Sequence, residues 1–580
     1  MIASLAMPGV SPQLNAATRG VVNKRTLNFF LPIDHISLPC FMPIEIRGAY
    51  NSYAGDSSIF GTKWTFNHNI HVAPDRTRFK VMEGDGFENY YTREKNLEEA
   101  KKTLADAIII AQKKLDSKKG GLKAGNVYDD LKRKLLSDQA FRDEQEAKLL
   151  SAPKPLGAGI YYSFSKGPST LEMKPDGTFV RTFQNKSAEY FNPGGQLVKA
   201  ADKYGNALSY TYSGKNLVRI NDACGGSVSF SYVSTKALEG LVQSLRDSLG
   251  REIKYEFFPN RRLKSFRNVQ KELVEFTYDT IGNMLTLSIT KPPQFTKDVQ
   301  KETVQLAYNA QYEVTKETQP DGREIKYSRS FVANNPNHSL TEISEFQKGK
   351  LISREIQEAK LKEFESITKF DGNGKELGKE TKKLSPTTGY TTSDLDEHGR
   401  GELIDYDANT GNPLRRETVP SGEITEFEYN LGCNQVSKVK TKRAGAVTSE
   451  ANFNYDVQCN PIKANELEKG KKTVDISLAW NKQGKISFLT DELAKKQIAF
   501  TYWKFGKTES ITLKDVGTLL VKYSPAGDIE KVDTFPNGKG KDRFKTTDTI
   551  AANGVILQEV KSTLDAIMSH LKPSGINIGL

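Results

Sequence analysis

Cysteine and histidine are scarce in this chain: its 580 residues hold 4 Cys and 6 His. Cys40, Cys224, Cys433 and Cys459 are too few and too dispersed to read as a disulfide framework. The histidines are His35, His68, His71, His338, His398 and His570; His68 and His71 stand three apart on one predicted strand, on opposite faces, which argues against a metal site. There is no nucleophile elbow, phosphate loop, paired-histidine zinc motif or Cys-x-x-Cys. No cofactor is expected. No apolar run reaches about 18 residues, so no membrane span is expected either. Hydrophobic residues make up only 37% of the chain, below the roughly 45–50% of a typical globular domain. The net charge of +12 comes from 83 basic residues scattered among 71 acidic ones. Such interleaving reads as solvated strand faces, not as a nucleic-acid footprint.

What the chain has in quantity is 23 Tyr and 29 Phe, residues favoured in strands, and a phrase that keeps returning. Asp202-x-x-Gly205-Asn206 leads into Leu208-x-Tyr210-x-Tyr212, a turn at Ser213–Asn216, and Leu217-x-x-Ile220. It begins again at Asp222, running to Tyr232, and again at Asp247, running to Phe257. Apolar alternation over five or six positions is the period of a half-buried strand. Gly with Asp or Asn between two such runs supplies the positive φ and the side-chain bonds of a tight turn. Each copy is therefore a β-hairpin. The anchor is an aromatic, then Asp, Asn or Ser, then two residues and Gly: Tyr278-Asp279-x-x-Gly282, Trp480-Asn481-x-x-Gly484 and Tyr523-Ser524-x-x-Gly527, with looser copies at Tyr308, Tyr406, Tyr429 and Tyr455. Late anchors at 406, 429, 455, 480, 502 and 523 give steps of 21 to 26 residues, the signature of a repeat architecture. Asp202, Asp222, Asp247 and Asp396 are expected to serve their own turns, not to pair for glycoside hydrolysis.

On these anchors, and on Ile44-Glu45-Ile46-x-x-x-Tyr50-Asn51-Ser52 followed by Phe60-Gly61-x-x-Trp64-x-x-Asn67, the chain resembles the tyrosine–aspartate (YD) repeat family, also called rearrangement hot spot (Rhs) proteins. Relatives include the shell-forming C components of insecticidal toxin complexes and the extracellular YD shells of teneurins. The resemblance covers residues 25–93 and 153–540. It implies a mainly β fold of repeated antiparallel hairpins wound into a shell or spiral sheet.

Along the chain the expected parts are an N-terminal arm (1–24), an Rhs-type β segment (25–93), an inserted helical hairpin (94–152), the YD-repeat β shell (153–545) and a C-terminal tail with an amphipathic helix (546–580). The insert departs from the family pattern: Leu97, Leu104, Ile108, Ala111 and Leu115 repeat at helical spacing, Lys118-Lys-Gly-Gly121 breaks the helix, and Val127, Leu131 and Leu135 begin a second that ends at Pro153 and Pro155. The stretch 341–383 is the least regular, dominated by Lys and Glu. Loop-like breaks are expected near 291–298, 333–338 and 384–393. At the far end Val560, Leu564, Ile567 and Leu571 form one helical face, either docked on the sheet or offered to a partner. Cys433 and Cys459 each lie four residues after an anchor tyrosine. Equivalent positions two strands apart stand roughly 10 Å from each other, beyond the ~7 Å Cα reach of a disulfide. Free thiols are expected there, unless irregular turns close the gap.

The function these readings favour is a non-enzymatic scaffold, secreted or at the cell surface or periplasm, that binds or encloses a protein or glycan partner, possible enclosed polypeptides included. One alternative is the shell of a polymorphic toxin system lacking its own toxin domain; another is a carbohydrate-active enzyme. The uncharged stretch Met1–Met7 reads equally as the tail of a signal peptide, cleaved near Ala6, or as a ragged terminus. Toxin-bearing relatives cut themselves at an Asp-Pro-x-Gly phrase after the repeats. This sequence contains no Asp-Pro, and only 57 residues follow Tyr523, so an uncut chain without a C-terminal toxin is the expectation.

Overall fold

The computed structural model describes residues 20–55, 57–123, 125–150, 156–163, 168–292, 300–385, 389–407, 410–537 and 549–571. The protein is mainly β. Among the described residues, 33 strands from Gly159–Ser163 to Ile529–Pro536 form one sheet in strict sequence order. Every strand is thus the hairpin partner of the one before it, which follows from turns of a few residues that leave no room for a crossover. The chain divides into two compact units, one built on His68–Ala200 and the other on Ala201–Ala408 and Asn412–Leu580 with the N-terminal stretch up to Asn67.

In the first unit a meander of His71–Asp75, Arg78–Met82 and Glu88–Tyr91 packs Phe79 against Tyr161 and Phe179, at ring distances of 4.8 and 5.1 Å. The single strand expected to carry both His68 and His71 is broken. Trp64–Phe66 ends it and His71–Asp75 restarts it, so His68 and His71 do not share a strand. The insert holds three helices, α1 (Leu97–Lys118), α2 (Val127–Ser137) and α3 (Gln139–Leu149), where two were expected. Asp138 makes the difference: it is extended, and its carboxylate accepts from Phe141 N at 3.0 Å, capping a new helix. The helices share a small core of Ala105, Ile108, Ile109 and Leu135. Glu146 of α3 is buried against Arg78 and Arg76, at 3.1 and 3.5 Å, which ties the insert to the meander. Pro153 and Pro155 lie outside the described residues.

In the second unit the N-terminal stretch forms a small sheet whose main strands are Phe29–Leu38, Ile44–Asn51 and Trp64–Phe66. It lies on one face of the repeat sheet and is stitched to it by backbone bonds, Thr62 N to Arg261 O at 3.1 Å, Val242 N to Ile59 O at 2.8 Å and Val314 N to Leu27 O at 2.8 Å. The C-terminal helix, α4 (Thr549–Leu571), is docked on the sheet. Ile556, Val560, Leu564, Ile567 and Leu571 are buried against Phe453, Leu489, Ile498 and Ile511.

Two expectations fail in this unit. The stretch 341–383 is regular, with paired strands His338–Gln347, Lys350–Lys360, Phe364–Asp371 and Glu376–Leu384. Its apolar alternation is missing because cross-strand ion pairs such as Arg354–Glu342, at 2.7 Å, take its place. The four cysteines form two disulfides, Cys40–Cys224 and Cys433–Cys459, with Cα atoms 5.8 and 5.4 Å apart. The strand-spacing estimate fails for the second pair because both residues sit in turns beyond the ladder. There Asn434 and Cys459 take positive φ and bend the loops off the strand axes.

Candidate functional site: one sheet face and its polar stretch

Each anchor aromatic closes its strand at a β-bulge. The pairing register slips at Tyr212, Tyr232, Tyr278, Tyr308, Tyr429, Tyr455, Trp480 and Tyr523, which increases local twist and re-aims the ring. From there most rings reach back to the start of the preceding strand. Tyr232 donates to Leu217 O (2.8 Å), Tyr429 to Pro413 O (2.8 Å), Tyr455 to Val436 O (2.5 Å), Trp480 Nε1 to Pro461 O (2.7 Å) and Tyr523 to Thr508 O (2.7 Å). An anchor thus fastens its repeat to the turn before it. Burial pushes the Tyr212 hydroxyl up to about 12. Tyr278 instead accepts from Trp64 Nε1 at 3.4 Å, and the Tyr308 hydroxyl is buried without a partner.

The residue after the ring builds the turn. Asp279 Oδ1 accepts from the backbone of Ile281, Gly282 and Asn283 at 2.8–3.0 Å, and Oδ2 accepts from Asn283 Nδ2 at 2.9 Å. Gly282, Gly484 and Gly527 have φ of +97°, +78° and +87°. At Gly484 the space is as decisive as the angle: a Cβ would fall 2.1 Å from the Tyr204 ring packed on it. Asp202, Asp247 and Asp396 serve their own turns in the same way. Tyr278→Ala is therefore expected to cost about 2–4 kcal/mol, and Asp279→Ala about 1 kcal/mol. Urea midpoints check the order; equal costs would mean that the anchor ring is not packed.

Residues opposed in an antiparallel ladder point to the same side, so one face can be followed from strand to strand through this unit. It runs from Tyr255, Phe266 and Phe276 through Leu287, Val304, Leu306, Tyr327 and Ile343. It continues through Glu355, Lys369, Glu380, Asp394, Glu402, Arg416 and Thr425 to Val439, Ala451, Phe453 and on to Leu519. The face is mainly apolar where something covers it; the exception is Glu317, which pairs with Leu306 on this face, is buried and accepts from the Tyr327 hydroxyl at 3.0 Å. At the first end the cover is the N-terminal sheet: Trp64 packs on Phe276 at 5.4 Å, Phe60 on Tyr255 at 5.5 Å, and the Tyr50 hydroxyl donates to Gly282 O at 2.8 Å. At the other end the cover is α4.

Between the covers the chemistry changes. No hydrophobic side chain among the described residues between Ile343 and Phe453 is fully buried. The face carries cross-strand pairs instead: Lys369–Glu380 at 3.4 Å, Lys382–Asp394 at 3.2 Å and Arg416–Glu402 at 3.3 Å. Half-buried Ile367, Ile404 and Phe427 lie among them. Lys24 and Arg25 from the edge of the N-terminal cover pair with Glu355 and Glu365, at 2.9 and 3.0 Å, and mark where the polar stretch begins. The sequence reading missed these residues. Their signal was present as charge at strand positions where sister strands carry Leu, Ile or Phe.

Two carboxylates do converge in the other unit, but on a cation. Arg181 binds Glu83 and Glu189, and its Nε donates to Tyr91 at 2.6 Å. Arg181 and Glu189 are buried, and burial raises the Glu189 carboxyl against the pull of Arg181. This is a buried ion-pair cluster, not an acid and base facing an open cleft.

Comparison with known proteins matches residues 21–91 to a domain of unknown function, DUF6531. No curated protein matches the chain. Among solved structures, one of TcdB2-TccC3-TEV aligns with 94% of this chain and 29% of its own, at 11% identity and a TM-score of 0.41. TcdB2-TccC3 without its hypervariable C-terminal region aligns with 91% of this chain and 28% of its own, at 11% identity and 0.39. The Photorhabdus luminescens Tc holotoxin pore aligns with 88% and 32%, at 10% identity and 0.25. The chain spans about a third or less of the length of these solved chains.

Proposed function

We propose that the protein is a non-enzymatic scaffold of the Rhs/YD-repeat kind that holds a polypeptide against the polar stretch of its sheet face. The change of chemistry along that face carries the reading. The sheet is sealed mainly by apolar packing where the chain covers itself, and lined by paired charges where it does not. A lining whose charges are already paired offers many weak, exchangeable polar contacts and a few half-buried rings, without a wide apolar patch that would hold a chain irreversibly. Two disulfides among four cysteines suit work outside a reducing cytosol, and no helix among the described residues is long and apolar enough to cross a membrane.

Photo-crosslinking in the producing cells tests this. A photoreactive residue at Ile404 or Phe427, on the lined face, is expected to capture a polypeptide that the same group at Glu426 or Glu428, on the opposite face, does not. Equal capture from both faces, or none from the lined face, would overturn the proposal. So would hydrolysis of a polysaccharide by the purified chain.

A further inference from the structure

The turn Asp222–Gly226 differs from its sisters at one atom. At four sister turns the second carboxylate oxygen is taken by the residue four places on. Asn206 Nδ2 donates to Asp202 at 2.7 Å, Asn283 to Asp279 at 2.9 Å, Asn460 to Asp456 at 2.9 Å and Arg400 Nε to Asp396 at 2.8 Å. Asp222 keeps the shared part of the motif, its Oδ1 accepting from Cys224 N and Gly226 N at 2.8 and 2.7 Å. Four places on, however, stands Gly226, with no side chain to give. Asp222 Oδ2 is left buried and without a hydrogen-bond partner. The same carboxylate stands beside sulfur: an Asp222 oxygen and the Sγ atoms of Cys40 and Cys224 all lie within 4.8 Å of one another.

We propose that reduction of the Cys40–Cys224 disulfide turns this cluster into a site for a thiophilic divalent cation such as Zn2+, with both thiolates and Asp222 Oδ2 as ligands and water in the fourth position. Two sulfurs and one carboxylate oxygen form an accepted donor set for a tetrahedral zinc site with an open place. In the oxidised chain the sulfurs are bonded to each other and give no thiolate, so the site exists in one redox state only. A phosphine reductant balances the step: it takes the oxygen of a water, the S–S bond breaks, and the two water protons go to the two sulfurs. The metal then displaces both protons. The orphaned oxygen gains the partner its sister turns possess. Cys40 follows the strand Phe29–Leu38 of the N-terminal cover, so disulfide and metal hold the same two pieces of chain together, one in oxidising surroundings and the other in reducing ones.

Cobalt reports on the site. The full-length chain carrying Cys433→Ser and Cys459→Ser leaves a single thiol pair. After reduction by a phosphine it is expected to develop a near-ultraviolet thiolate-to-cobalt band saturating at one Co2+ per chain and bleached by Zn2+, while the unreduced chain shows none. Asp222→Asn preserves the turn, because Asn481 makes the same backbone bonds in its own, and should weaken Co2+ binding at least tenfold. If the double-serine chain misfolds, the unaltered chain is titrated against Cys40→Ser, and one cobalt-thiolate band should be lost. A reduced protein without the band, or an Asp222→Asn chain with unchanged affinity, would overturn the proposal.

Discussion

Tyr50→Ala is expected to cost about 4–5 kcal/mol and Tyr50→Phe about 2–3 kcal/mol, the first from the range for truncating a buried aromatic and the second from unpairing buried backbone groups. The ring is fully buried, 5.7 Å from Trp64 and 6.1 Å from Tyr278. Its hydroxyl sits in the bulged turn of a repeat, donating to Gly282 O at 2.8 Å and accepting from Met284 N at 3.0 Å. Phenylalanine keeps the packing but leaves that N–H and that C=O buried with nothing to bond. Alanine loses the packing as well. Guanidinium midpoints measure both costs. Proteolysis should show where they fall, with new cleavage first in residues 21–67 as the N-terminal cover loosens. A Tyr50→Phe chain as stable as the parent would mean that the hydroxyl is not the bolt between cover and repeat.

The hairpins were legible in the sequence because their signals are local. Alternation over five residues, a glycine with positive φ and an aspartate bonding its own turn each involve fewer than ten consecutive residues, and the repeats multiply them. The terminal helix was legible for the same reason, though only the structure decides that its apolar face lies on the sheet. What escaped is what depends on a second stretch of chain. The carbonyl that accepts from Tyr429 lies at Pro413, a full strand back, and no pattern around Tyr429 announces it. Cys433 and Cys459 meet because two turns bend off their strands, whereas the spacing estimate treats turns as ladder ends. The stretch 341–383 looked irregular because strands were sought by apolar alternation, and there opposed charges do that work. Asp138 shows the limit in small: one extended residue split a predicted helix in two.

His35 should make the protein acid-labile well before its carboxylates titrate. It is buried in an aromatic box, stacked on Phe60 at 4.5 Å and edge-on to Phe266 at 5.1 Å, with Nδ1 3.0 Å from the Tyr255 hydroxyl and Nε2 without a partner. Burial lowers its pKa from 6.5 to about 3, since nothing in the box compensates an imidazolium. The sign follows from the lowered value. Above pH 6.5 both folded and unfolded chains carry a neutral ring, and stability does not depend on it. Between 6.5 and about 3 only the unfolded chain takes the proton, so stability falls as pH falls, by about 1.4 kcal/mol per unit. The expected loss is about 2 kcal/mol at pH 5 and about 5 kcal/mol in all by pH 3. His71 is lowered by burial too, so the measurement is a difference: urea midpoints at pH 8, 7, 6 and 5 for the parent and for His35→Phe. Phenylalanine fills the box and cannot titrate. It should begin lower, because Tyr255 loses its partner, by about 1–3 kcal/mol, and should then lose less as the pH drops, the two curves converging toward pH 5. Curves that stay parallel from pH 8 to 5 would mean that His35 is protonated in the folded protein, and that the aromatic box opens to water.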